Sequence, residues 1–187
     1  MKMGRETNNF SQKQLIIADG LRPKIKQLLR GAKHEAVEID HESNPLDKIT
    51  SILVSKKQSG IQIDTLHIIA HGQPGSFRIG GQTIDQDFLT HHLKSSPQIW
   101  GINTLALWSC EKSRGSGSQL EQSLEKLSGG KAWTSKQKLS GRNKSSWRLD
   151  NKSASRHGQQ KPTIPIKRKV LAHWNHTLSS VLDVNYE

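Results

Sequence analysis

The sequence predicts an α/β domain built on a mostly parallel sheet. Three observations carry that reading. Short apolar runs alternate with segments of helical periodicity over the first 135 residues, the pattern of successive βαβ units. Two of the runs, "IDTLHIIAH" (63–71) and "NTLALWSC" (103–110), are apolar nearly throughout, as strands covered on both faces must be. A chain of 187 residues is long enough for one domain with its own core.

The elements follow in order. "LIIADG" (15–20) reads as a buried strand ending in a turn. "LRPKIKQLLRG" (21–31) then sets Leu21, Ile25, Leu28 and Leu29 on one helical face, and Gly31 closes it. "EAVEID" (35–40) alternates like a strand. In "NPLDKITSILVSKK" (44–57), Asn44 fits an N-cap and Pro45 the first helical position, with Leu46, Ile49, Ile52 and Leu53 facing inward. The third strand is 63–71. "SFRIGGQTID" (76–85) carries a Gly80-Gly81 hairpin turn, and Asp85 can cap a helix bearing Phe88, Leu89 and Leu93. The fourth strand is 103–110. Ser118 and Glu121 form a capping box ahead of Leu120, Leu124 and Leu127, with Gly129-Gly130 as the stop. "KAWTS" (131–135) is a fifth strand. From about 136 periodicity fails in a stretch rich in Ser, Lys, Gln and Gly, read as loop or disorder. "KVLAHWNHTLSSVL" (169–182) returns as one last element. The organisation is a polar tail over 1–12, the α/β body over 13–150, and a basic, partly disordered segment over 151–187.

Composition narrows the function classes. The apolar fraction is 32%, and the mean hydropathy of −0.68, with no apolar run near the length of a membrane-spanning helix, argues against a transmembrane segment. The first 14 residues are polar, with no signal-peptide core, so the default expectation is a cytoplasmic protein. The net charge of +12 is uneven: residues 1–110 hold 13 Lys/Arg against 10 Asp/Glu, and residues 111–187 hold 15 against 6. A basic C-terminal half attracts polyanions or acidic surfaces without naming one. The single cysteine excludes an internal disulfide and leaves a buried structural residue, a reactive thiol or an intermolecular link.

The candidate chemistry lies at two strand ends. In open parallel sheets, sites form beyond the carboxyl ends of the strands. His71 ends the third strand and Cys110 the fourth; neighbouring strands lie ~4.8 Å apart. A cysteine attacks a carbonyl as thiolate, and an imidazole can take the thiol proton and later protonate the leaving amine. The amides of Gly72 and Cys110 can donate to the developing oxyanion. The competing reading is structural: lone cysteines are often small buried hydrophobes, and strand-end histidines often bond backbone.

An apolar strand followed by His-Gly, then some forty residues later an apolar strand ending in Cys, resembles the caspase-like cysteine peptidase clan of caspases, legumain, gingipain, clostripain and separase. More closely, "IDTLHIIAHGQPGSFRIGG", "LALWSC" and "TSKQKLSG…WRLD" resemble the bacterial domain of unknown function 4347, common in large cyanobacterial and proteobacterial surface proteins. The similarity covers roughly residues 13–150. It implies a caspase-like, Rossmann-type α/β/α sandwich, a His71–Cys110 dyad, Gly72 as oxyanion donor, a protein or peptide substrate, self-processing, and no metal or organic cofactor. Two departures stand: Ser109 precedes the cysteine where the family usually has Gly, and Lys136, Gln137 and Lys138 replace usual acids.

Asp19 ends the first strand on the same edge. By the resemblance it lines a substrate pocket favouring Lys or Arg; by its place before Gly20 it is a turn residue. If it lines the pocket, self-cleavage after a Lys or Arg within 112–169 follows. His67 and His71 span ~13 Å on a strand, too far to share a metal. His91 and His92 are expected on a helix surface. Trp133, Trp147 and Trp174 among Lys and Arg match single-stranded nucleic-acid binders, but packing of Trp147 and Trp174 on the sheet is the favoured reading. Function therefore reads first as a cysteine endopeptidase. The alternatives are a non-catalytic caspase-like binding or adhesion module and a basic nucleic-acid-binding protein.

Overall fold

The computed structural model describes residues 13–96, 98–110, 117–151, 155 and 157–179. In chain order its elements are β1 (Lys13–Asp19), α1 (Pro23–Leu29), β2 (Glu35–Ile39), α2 (Pro45–Gln58), β3 (Ile63–Ile69), β4 (His71–Gln73), β5 (Ser76–Ile79), β6 (Gln82–Ile84), α3 (Gln86–Ser95), β7 (Thr104–Trp108), α4 (Gly117–Ser128), β8 (Lys131–Thr134) and α5 (Arg168–His173). Five strands form one sheet in the order β2-β1-β3-β7-β8, every pair parallel. Strands β4, β5 and β6 form a small antiparallel sheet of their own.

Alternation along the central strands divides the core in two. Leu15 and Ile17 of β1 and Leu105 and Leu107 of β7 pack with Leu46, Ile49, Leu89, Leu124 and Leu127, which belong to α2, α3 and α4. Ile16, Ala18, Ala106 and Trp108 pack with Ile25 and Leu28 of α1, Leu171 of α5, and the loop residues Leu139, Trp147 and Leu149. Two covered faces of a parallel sheet make the expected α/β sandwich.

Local signals explain most boundaries. The Asn44 carboxamide accepts the N–H groups of Leu46 and Asp47, at 3.1 and 3.2 Å, and Pro45 opens α2. Asp85 accepts the Phe88 N–H at 2.8 Å. Gly80 and Gly81, with φ of +59° and +83°, form the β5–β6 turn in a backbone region that costs other residues strain. The Ser118 side chain, half of the capping box, lies outside the described residues, as does the stretch 111–116.

Four expectations change. The third strand stops at Ile69, and His71 opens β4 instead of ending the central strand. The fourth stops at Trp108, two residues short of Cys110. His92 is buried beneath α3, 2% exposed, close to Asn44 and Asp47, because its helix packs that side against α2. The chain past 136 is irregular, as read, but much of it is packed: Leu139, Trp147, Leu149, Ile166, Leu171, Trp174 and Leu178 are all buried. Segment 164–167 adds to the turn after α1, where Lys33 N–H reaches Pro165 and Lys167 N–H reaches Gly31. The packed body therefore runs past residue 150. No helix among the described residues is long and apolar enough to cross a membrane.

Candidate functional site

Strands β3 and β7 are neighbours at the centre of the sheet. Their register runs from Thr65 opposite Thr104 to Ile69 opposite Trp108 without a shift. The Ala70 N–H continues it, bonding the Trp108 carbonyl at 3.1 Å. Past that bond His71 turns away to pair with Arg78, and Cys110 lies two residues beyond the end of β7. His71 and Cys110 are 2% and 1% exposed.

Gly72 lies against the cysteine. A Cβ there would strike the backbone N and O of Cys110 and crowd the Ser109 side chain, so the close crossing of the two chain segments needs glycine. The Cys110 sulfur, in no disulfide, accepts the Leu139 N–H at 3.1 Å and lies 3.6 Å from the Thr177 hydroxyl.

The C-terminal segment covers this centre. The Gly72 N–H donates to the Leu178 carbonyl at 2.8 Å, and the Leu178 N–H donates to the Leu139 carbonyl at 3.0 Å. The Gly141 N–H donates to the His176 carbonyl at 3.2 Å. Isolated bridges between Gly72 and Ser179 and between Ser140 and Thr177 flank a bend at Leu178. The amide expected to serve an oxyanion is thus engaged by a carbonyl of the chain itself, and the thiol is shielded from solvent.

Asp19 sits elsewhere. It ends β1, on the far side of β3 from Cys110, and is 2% exposed. One carboxylate oxygen accepts the Leu21 and Gly80 N–H groups, at 3.3 and 3.2 Å; the other lies 3.8 Å from Arg22. Burial raises its pKa, opposed by those amides and by Arg22 and Arg78. The structure gives Asp19 the turn role, tying the end of β1 to the β5–β6 turn. Arg78, opposite His71 in the β4–β5 ladder, has its Nε buried and without a hydrogen-bond partner.

His67 is a structural histidine. It is fully buried; its Nδ1 accepts the Trp108 indole N–H at 3.0 Å and its Nε2 meets the Gln14 side-chain oxygen at 2.8 Å. Trp133, Trp147 and Trp174 are at most 3% exposed, so their faces are not offered to nucleic-acid bases. Among the described residues no group of three or more His, Cys, Asp or Glu is arranged to hold a metal ion.

Sequence reasoning missed Leu139, Thr177 and Leu178 as companions of the cysteine. The signal for Leu139 was faint: it lies within "TSKQKLSG". Thr177 and Leu178 gave none, because a single leucine after an aperiodic stretch does not reveal which surface it covers.

Neither a search of curated proteins nor one of solved structures finds a match. A family model described as Domain of unknown function (DUF4347) matches residues 15–178. That span opens at Leu15 in β1 and closes at Leu178 over the cysteine, taking in both packed faces of the sheet, and the chain belongs to the DUF4347 family.

Proposed function

We propose that the domain is a caspase-like cysteine endopeptidase with Cys110 as nucleophile and His71 as proton carrier. One observation supports the reading: β3 and β7 pair without a shift up to Ile69 and Trp108, His71 and Cys110 each follow two residues later, and Gly72 packs against Cys110. Cys110 as thiolate adds to a peptide carbonyl while the oxyanion takes N–H groups from Gly72 and Cys110. The imidazolium of His71 gives its proton to the leaving amine as the C–N bond breaks. Water, losing a proton to His71, then splits the thioester and restores the thiol. The Leu139 N–H aimed at sulfur favours negative charge there.

The burial of the thiol supports a second reading, a caspase-like binding module that keeps the fold and performs no chemistry. Alkylation of Cys110 across pH separates the two. With a working dyad, wild type shows an added reactive fraction that follows imidazole titration, and His71→Ala lacks it. Superposable profiles for the two proteins would rule out the dyad, and the binding module would stand.

A further inference from the structure

We propose that the groove between Gly72 and the stretch 139–141 is a binding site for a peptide bearing an apolar side chain where Leu178 lies, and that residues 176–179 fill it as an internal occupant. The inference rests on the reading above for treating the Gly72 N–H as the donor meant for a substrate carbonyl.

The occupant is held through its main chain on both sides of a bend at Leu178. Gly72 and Leu139 grip the carbonyl and N–H of Leu178 from opposite sides, at 2.8 and 3.0 Å, and Gly141 takes the His176 carbonyl at 3.2 Å. Such main-chain pairing is indifferent to side-chain identity, so selectivity falls to the pockets. His176 and Thr177 are half-buried, and Leu178 is fully buried among Cys110, Leu139 and the tryptophan cluster. A lysine or arginine there would bury its charge, and the carboxylate of Asp19 lies across β3, engaged with two amides and Arg22. The site therefore takes leucine-like side chains rather than basic ones.

The occupant also has a defined hinge. The Trp174 indole donates to the Lys24 carbonyl at 2.8 Å, and a Cβ at Gly141 would collide with the Trp174 carbonyl. The chain is pinned at Trp174, while Asn175 is exposed. Displacing residues 175–179 takes Leu178 out of the tryptophan cluster and His176 off the Trp174 ring, 5.7 Å away. With the Thr177 hydroxyl 3.6 Å from sulfur, the seated segment excludes any other peptide from the nucleophile.

The test uses the full chain. A fluorophore-labelled peptide with the sequence of residues 175–180 is titrated into wild type, Leu178→Ala and Leu178→Asp, with near-ultraviolet dichroism of the tryptophans reporting the fold. The folded variants should bind at least about tenfold more tightly than wild type, and a peptide with lysine for leucine at least about tenfold more weakly. Equal affinity of wild type and folded variants, or of the two peptides, overturns the proposal. Should both variants unfold, hydrogen exchange of wild type decides. The Leu178 and Gly72 amides should open together and faster than those of Ile68 and Leu107; opening only with global unfolding would make the segment permanent core. Peptide capture with His71-independent alkylation would keep the groove and remove the dyad. The reverse pair of results would keep the dyad and remove the groove.

Discussion

Lowering the pH should remove a defined part of the domain's stability through one side chain, His67. Its Nδ1 already accepts the Trp108 indole N–H at 3.0 Å, so a proton arriving there would meet another donor. The ring is fully buried and stacks on His34 at 5.8 Å. Burial first, then His34 and Lys33, lowers its pKa from 6.5 to about 3. In the unfolded chain the same ring titrates near its ordinary value. The stabilising difference is thus fully present above pH 6.5 and is lost as pH falls from there towards 3. Between pH 7.5 and 5 the unfolded state gains a proton that the folded state refuses, a loss of ~2 kcal/mol. Urea unfolding followed by tryptophan fluorescence at several pH values measures it. His67→Asn, which retains an acceptor for Trp108 but cannot be protonated, lowers stability at every pH; the informative quantity is the slope. Wild type should lose ~2 kcal/mol more than the variant over that range. His92, lowered through burial and remote from His67, titrates in both proteins and cancels in the comparison; His34, also lowered through burial, stacks on His67, and a parallel His34→Asn pair removes its share. Parallel slopes would refute the argument.

Further outcomes follow from the packing. Gly72→Ala should destabilise by ~1–3 kcal/mol in urea unfolding, because its Cβ strikes the Cys110 backbone. Gly101→Ala, where nothing lies within 4 Å but φ is +68°, should cost only ~1 kcal/mol. Asn44→Ala removes an acceptor shared by two amides and should cost ~1 kcal/mol in the same assay. Brief subtilisin treatment should cut first within the exposed stretch 157–161, and the two fragments should co-elute on gel filtration because 164–178 stay packed; first cuts beside the buried Ser146 and Trp147 would contradict the burial seen there.

What was legible in the sequence follows from how each feature is encoded. Elements that bury a periodic face announce themselves, and α2 and α3 carry caps at Asn44 and Asp85 as well. Nearly continuous apolar runs marked the central strands, while their order, β2-β1-β3-β7-β8, was not legible and came from the structure. The break at Ala70 was hidden because "HIIAHG" stays apolar across it; it is the pairing of His71 with Arg78 that turns the chain into the small sheet. That His71 and Cys110 follow paired strands was readable only as an expectation of neighbouring strands, and the β3–β7 register shows the pairing up to Ile69 and Trp108. The cover over the thiol was unreadable, since it depends on main-chain hydrogen bonds of residues 176–179, which any sequence can make.

The basic C-terminal half joins these points. Past its one periodic helix, from about 136 on, its apolar residues are too sparse for periodicity to find, yet two are tryptophans, and each buries far more surface than an aliphatic side chain. Trp108 of β7 meets Trp147 in a tilted contact at 5.7 Å, and Trp147 meets Trp174 edge-on at 6.1 Å. This row of rings forms the second layer on a face where α1 and α5 are only 7 and 6 residues long. Lysines between them, such as Lys136, Lys138 and Lys161, remain on the outside, the first and last beside Asp150. A segment that looks unstructured by composition is therefore the lid of the cysteine side of the sheet. Removing one ring tests this: Trp147→Ala should cost ~3–5 kcal/mol, as for a core aromatic. Because Leu139 and Leu178 share its cluster, it should also speed native-state alkylation of Cys110. A small stability loss with unchanged alkylation would mean that the tryptophan row does not hold the cover over the thiol.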